Sequence, residues 1–239
     1  MENADYRWRY IGLVSMVAII CRLLILLRPG YAWAIAPDSD LYIGLARGLR
    51  AGCGFAYRSQ GRCGPPDFFR TPGYPLFLAI MPGLRAVVAA QSIMWGVVCL
   101  LLGWFMWSRW GMKAALAAAG LVAVDVVSII NSSFITTDNL FALFVAFVVI
   151  SQLWVISRGL FDRKAVCVTL LAALAIGAAI LVRPIGQLLV PLSLVPALVT
   201  PRQTLGRRAA LSIAAFLLSA TIVGGLDGTK QYTAPGCLR

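Results

Sequence analysis

Residues 86–107 read AVVAAQSIMWGVVCLLLGWFMW, 22 positions without one charged side chain. A helix rises about 1.5 Å per residue, so the run reaches about 33 Å, enough to cross the roughly 30 Å hydrocarbon core of a bilayer. Six further apolar runs accompany it: Tyr10–Leu27, Ala114–Ile130, Asn139–Ser157, Ala165–Val182, Ile185–Val199 and Ala209–Leu226. Together they predict an all-α fold, a polytopic transmembrane helix bundle of about seven spans forming one domain over residues 1–239. The stretch Tyr74–Leu84 is apolar but too short to cross, and it carries Pro75 and Pro82. It reads as a re-entrant or interfacial helix.

Composition agrees. Of 239 residues, 60% are hydrophobic and 13% charged, and the mean hydropathy is +0.85. A soluble domain carries about 45–50% apolar and about 25% charged residues, so this chain falls outside that class. The net charge of +12 comes from 21 Lys and Arg against 9 Asp and Glu. Its arginines stand in short clusters between apolar runs, the pattern of loops at a lipid surface and not of a nucleic-acid groove. Histidine is absent. Proton chemistry therefore falls to Asp, Glu, Tyr or Lys.

The basic clusters set sidedness. Arg7 and Arg9, the turn Arg109–Lys113, and the loops Arg158–Lys164 and Arg202–Arg208 are basic, whereas Asn131–Asp138 holds no Lys or Arg. By the positive-inside rule the N-terminus is cytoplasmic and the loop Arg28–Arg85 external. The expected location is the inner membrane of a bacterium. Arg7, Arg9 and Ala34-Ile35-Ala36 also fit a cleaved signal peptide. The long apolar run and Pro37 after the cut favour a retained span.

If the chain does chemistry, the external loop is the first place to look. Pro37-Asp38-Ser39-Asp40-Leu41-Tyr42 opens a helix, capped by Asp38 or Ser39, with Leu41, Leu45 and Leu49 on one face and Ile43 and Arg47 off it. Such a helix lies along the membrane surface. Its two carboxylates are either caps and solvated charges or a base for an acceptor hydroxyl. Asp67-Phe68-Phe69-Arg70-Thr71-Pro72-Gly73-Tyr74-Pro75 follows, where Arg70 either grips a phosphate or salt-bridges phospholipid. Thr136-Thr137-Asp138-Asn139 begins a later span on the same side, with Asp138 as N-cap or site residue, and Arg183-Pro184 adds another external cation.

In their order, Asp38-Ser39-Asp40-Leu41-Tyr42, Arg70-Thr71-Pro72-Gly73-Tyr74-Pro75 and Thr137-Asp138-Asn139 resemble the polytopic C-type (GT-C) glycosyltransferases, in particular the protein O-mannosyltransferase and aminoarabinose transferase group. The resemblance implies transfer of a sugar from a polyprenyl-phosphate donor to an acceptor hydroxyl at the external membrane face. It implies Asp38 as catalytic base and Arg70 as the phosphate ligand. Asp40, Tyr42, Tyr74, Asp138 and Arg183 would bind substrate, and Asp40 and Asp138 would position the acceptor or hold a divalent cation. The expected partners are the lipid-linked donor and membrane lipids. The resemblance spans the N-terminal half of such an enzyme. Residues 224–239, GGLDGTKQYTAPGCLR, lack the expected further motif and read either as a native tail or as the product of a frame change or premature stop.

Two other classes compete: a small transporter or channel, and a truncated membrane protein without catalysis. A transporter expects polar residues at mid-depth, where Arg22 and Asp125 stand at matching depths and are expected to form an ion pair. Cys21, Cys99 and Cys167 lie in spans as small apolar residues. Cys53 and Cys63 form a disulfide if their compartment is oxidising and are otherwise free thiols. Trp95, Trp104, Trp107 and Trp110 read as lipid-facing or interfacial anchors.

Overall fold

The computed structural model describes residues 2–30, 34–59, 62–158 and 163–195, together with 210, 213, 214, 217 and 221. The described chain is mostly helical and divides into two compact units. One comprises residues 1–39 and 81–150, the other residues 40–80 and 151–239.

The first unit holds α1 (Glu2–Leu23, continued by a 3-10 turn Leu24–Leu27), α4 (Leu84–Trp110), α5 (Met112–Val124), α6 (Val126–Ser133) and the start of α7 (Thr137–Arg158). On α1, Ile11, Ser15, Ala18 and Arg22 recur at helical spacing and are buried, while Leu13, Met16, Val17 and Ile20 are exposed apolar side chains. A helix apolar on all sides with one buried stripe suits a lipid surround. Small residues let the helices approach: Ile11 packs on Gly103 and Ile19 on Gly96 of α4. Ala115, Ala119 and Ala123 line the buried face of α5, and Ala119 and Ala123 cluster with Ala18 and Cys99. Close approach over small residues is the usual source of helix association in lipid, where the hydrophobic effect is absent.

The second unit holds α2 (Ser39–Arg50, from Asp40 onward), an antiparallel hairpin of β1 (Ala56–Ser59) and β2 (Arg62–Pro66), α3 (Gly73–Ile80), the end of α7, α8 (Arg163–Val182) and an 11-residue 3-10 helix, Pro184–Leu194. The C-terminus of α2 closes in a Schellman motif. Gly52 takes φ +75°, Cys53 N–H donates to Gly48 O and Gly52 N–H to Leu49 O. This turn leads the chain directly into the hairpin, which the disulfide Cys53–Cys63 ties to the end of the helix.

Among the described residues, four helices are long and apolar enough to cross a membrane: Trp8–Leu27, Leu84–Trp110, Thr137–Ser157 and Lys164–Val182. They match four of the seven expected spans. The run Ala114–Ile130 is not one straight helix: α5 and α6 meet at 49° around Asp125, giving a fifth span only if the bent pair counts as one. Asp125 causes the break. Its backbone is extended, and its carboxylate accepts from Ser128 N–H at 3.0 Å as the N-cap of a new helix. The run Ile185–Val199 starts as the 3-10 helix with Pro191 inside it, and residues 196–199 lie outside the described part. The run Ala209–Leu226 lies almost wholly outside the described residues. At eight residues, α3 reaches only about 12 Å and does not span.

Two local expectations need correction. Ile43, expected off the apolar face of α2, is buried with Leu45 and Ala46, whereas Leu41 and Leu49 are half-buried. The reason is the glycine pair Gly44 and Gly48, which bring β1 against the helix: a Cβ at Gly48 would collide with Ala56 O, and one at Gly44 would meet the Tyr57 ring. The hairpin has no counterpart among the elements expected of this loop.

The second correction concerns Arg22 and Asp125, which do not form the expected ion pair. Arg22 is 1% exposed, and its Nη1 donates to Ala18 O at 3.0 Å and Ala123 O at 3.3 Å. Its Nη2 donates to Val122 O at 3.0 Å and Ser128 Oγ at 2.6 Å. The Asp125 carboxylate accepts the Ser128 backbone N–H instead, while the Ser128 hydroxyl that accepts from Arg22 donates to Asp125 O at 3.0 Å. Trp95 is drawn into the same cluster, with Arg22 Cζ 5.4 Å from its ring centre and its Nε1–H donated to Asn139 Oδ1 at 3.0 Å. The half-buried ring is therefore bound into this polar cluster, a role beyond the lipid-facing or interfacial anchor expected of it.

Candidate functional site

The chain leaves α1 and returns to the first unit's interior before α2 begins. Ser39, buried at the start of α2, donates Oγ–H to Ile135 O at 2.7 Å and accepts from Ala36 N–H at 2.8 Å. Ile135 N–H donates to Ala34 O at 2.9 Å. Residues 34–39 are thereby stitched to the loop that precedes α7. Asp38 is exposed beside Ser39, and Asp138 is exposed in the first turn of α7. The first unit thus brings the segments bearing Asp38 and Asp138 to one end.

Asn139 accounts for much of that order. It is buried, takes the Trp95 indole N–H on Oδ1, and donates Nδ2–H to Asn131 O at 2.9 Å. Gln91 of α4 donates to Ser132 O at 3.0 Å and Phe134 O at 2.8 Å, satisfying carbonyls freed where α6 ends. Both amides hold the α6–α7 turn, and the sequence motif had pointed to their neighbour Asp138 instead.

In the second unit, Arg70 sits in a three-way polar cluster. Its Nη1 lies 2.9 Å from Asp67 Oδ2 and donates to Tyr57 Oη at 2.9 Å. Tyr57 O–H donates to Asp67 Oδ2 at 2.7 Å. Asp67 Oδ1 accepts the backbone N–H groups of Phe69 at 2.8 Å and Arg70 at 3.1 Å, which folds residues 67–70 into a tight turn. Burial pushes the Asp67 carboxyl up, but the hydrogen bonds from Tyr57, Arg70 and the two amides outweigh it, and the net shift is downward. Burial, the bond to Asp67 and its charge push Tyr57 up to about 12. Arg70 is desolvated too, yet its bond to Asp67 and the facing oxygens raise it overall. The Arg70 side chain stays 30% exposed.

This cluster joins α8 through the next residue. Thr71 Oγ1 donates to Val182 O at 2.9 Å, and Gly73 packs so tightly on Leu181 O that a Cβ there would come within 2.7 Å. Arg183, half-buried, follows Val182 in extended backbone between α8 and the 3-10 helix. Arg70 and Arg183 are therefore each one residue from a shared hydrogen bond. Tyr74 is fully buried at the start of α3, edge-on to Tyr42 of α2 with ring centres 5.4 Å apart. Arg50 of α2 donates Nε–H to Ala79 O at 2.8 Å and Nη2–H to Leu78 O at 2.9 Å, capping the C-terminus of α3 with a cation. Asp40 is exposed in the first turn of α2.

Of the expected site residues, Tyr42, Arg70, Tyr74 and Arg183 are thus tied together in the second unit through α2, α3 and α8. Asp38 and Asp138 share one end of the first. Two residues of the cluster, Tyr57 and Asp67, were not singled out. Asp67 stands three residues before Arg70, a spacing that suits a turn-closing ion pair; Tyr57 joins them only through the hairpin. A cavity of about 420 Å³ beside the hairpin has Cys53, Phe55, Pro66, Asp67 and Phe68 among its walls. Among the described residues no group of three or more His, Cys, Asp or Glu side chains converges. Comparison with family models, with curated proteins and with solved structures finds no match to this chain.

Proposed function

We propose that this membrane protein is a GT-C-like glycosyltransferase acting at the external face on a polyprenyl-phosphate-linked sugar. The observation that carries this reading is the bond from Thr71 to Val182, which ties the turn bearing Arg70 to the residue preceding Arg183. Two guanidinium groups held near one helix end suit a phosphate, and Asp67 and Tyr57 fix Arg70 in place through its Nη1. In the proposed reaction Asp38 takes the proton of an acceptor hydroxyl. The acceptor oxygen bonds to the anomeric carbon as the bond from that carbon to the phosphate oxygen breaks. Polyprenyl phosphate leaves with the electron pair, its charge stabilised by Arg70 and Arg183. Asp40 and Asp138 position the acceptor, and Tyr42 and Tyr74 support the phosphate end. An external loop also suits the disulfide Cys53–Cys63, which persists in oxidising compartments.

The test uses the full chain in membranes with a polyprenyl-phosphate sugar donor. Asp38→Asn is expected to abolish transfer with membrane insertion unchanged, and Arg70→Gln to raise KM for the donor. Full activity in Asp38→Asn, or no transfer by the unaltered chain, overturns the proposal.

A further inference from the structure

Arg22 presents an unusual problem of charge. It is 1% exposed inside a span, and among the described residues no carboxylate lies within ion-pair distance of it. Four oxygens satisfy its terminal nitrogens, but its Nε–H has no partner. A cation in so poor a dielectric favours an anion nearby.

Beside it lies a cavity of about 390 Å³, lined by Arg22, Arg28, Ile25, Ile129, Ser133 and Phe134 among others. Arg28 follows the last residue of the span, about 10 Å beyond Arg22 along the axis. Its exposed side chain makes no hydrogen bond or ion pair among the described residues. The rim is apolar: Leu24 and Ile130 also line the cavity and are 56% and 51% exposed. One cavity therefore combines a cation at headgroup level, a second buried behind it, and an apolar flank open to the surroundings of a spanning helix.

We propose that this cavity is a binding site for the phosphate headgroup of a net-negative glycerophospholipid. The phosphate meets Arg28 in the field of Arg22, and an acyl chain lies along Leu24 and Ile130. The apolar rim is what favours a lipid over free phosphate. The site stands apart from sugar transfer, since none of its residues takes part in that reading.

The experiment is native mass spectrometry of the detergent-purified full chain with phosphatidylglycerol, phosphatidylcholine or inorganic phosphate. Phosphatidylglycerol is expected to be retained about tenfold better than phosphatidylcholine, a difference worth about 1.4 kcal/mol. Arg28→Gln removes the preference, as does Ile130→Trp, which fills the mouth without changing charge. Arg47→Gln, an equal loss of charge on α2, leaves it intact. Inorganic phosphate does not displace the lipid. Equal retention of both lipids, loss in Arg47→Gln as large as in Arg28→Gln, retention in Ile130→Trp, or displacement by inorganic phosphate each overturns the proposal.

Discussion

Ser39 Oγ and the Ile135 carbonyl, 96 residues apart in sequence, are 2.7 Å apart in the fold. This buried bond fixes the point where the chain enters α2, and with it the backbone that carries Asp38. Ser39→Ala leaves the Ile135 carbonyl and the Ala36 amide without a partner, a loss of about 1–3 kcal/mol for each buried group. The expected result is a lower Tm in detergent, with the far-ultraviolet helix signal retained at low temperature. An unchanged Tm would mean the bond contributes nothing.

The carboxyl of Asp67 is held below its ordinary value of 3.8. In the unfolded chain it takes up a proton first, near pH 4, while the folded cluster resists protonation until lower pH. Its contribution to stability is therefore present above about pH 4 and is lost as pH falls through the lowered value. Tyr57 behaves oppositely: raised from 10.0 to about 12, it contributes below pH 10 and loses that contribution as pH rises to about 12. Hydrogen exchange at the Phe69 and Arg70 amides, corrected for intrinsic rates, should lose protection toward the acid side. Asp67→Asn should flatten that dependence.

Gly44 and Gly48 should differ in their tolerance of a methyl group. Gly48→Ala drives a Cβ into the Ala56 carbonyl, which is backbone and cannot turn aside. Gly44→Ala meets the edge of the Tyr57 ring at 2.9 Å, which can rotate at the expense of its bond to Asp67. Overpacking of this kind costs about 1–3 kcal/mol, with Gly48→Ala at or above the upper end. Thiol labelling of Cys53 and Cys63 in unreduced membranes reads the outcome: free thiols in Gly48→Ala and few in Gly44→Ala.

At the break between α5 and α6, Ser128 should matter more than Asp125. Ser128→Ala strips Arg22 Nη2 of its shortest contact and leaves a buried charged donor short of an acceptor. Asp125→Asn keeps a side-chain oxygen for Ser128 N–H and changes little. Thermal unfolding in detergent should rank them in that order. The reverse ranking would point to direct attraction between Arg22 and Asp125 as the dominant force.

Hydrophobic runs announced the four long helices because length and composition alone decide whether a helix can span a bilayer. They did not announce the bend at Asp125, since a carboxylate in an apolar run reads equally as an ion-pair partner or as a cap. Here it caps the backbone N–H of Ser128, three residues on. Arg70 stood out in the sequence from its setting among prolines and tyrosines, whereas its partner Tyr57 did not. That contact rests on a hairpin whose pairing depends on Gly44, Gly48 and a disulfide acting together across the sequence. Asn139 was passed over beside the charged Asp138, although an amide beginning an apolar helix must find four hydrogen bonds somewhere.

The bond from Thr71 to Val182 also has a meaning in time. Its partners are 111 residues apart. At synthesis rates of about 5–20 residues per second, Thr71 and Gly73 emerge roughly 6–22 s before the end of α8 exists to receive them. Through that interval the arginine turn has no dock on α8, and Arg70 and Arg183 are separate features of a growing polypeptide. The proposed phosphate grip is thus among the last parts of the described chain to assemble, and it forms only in molecules whose translation has passed Arg183.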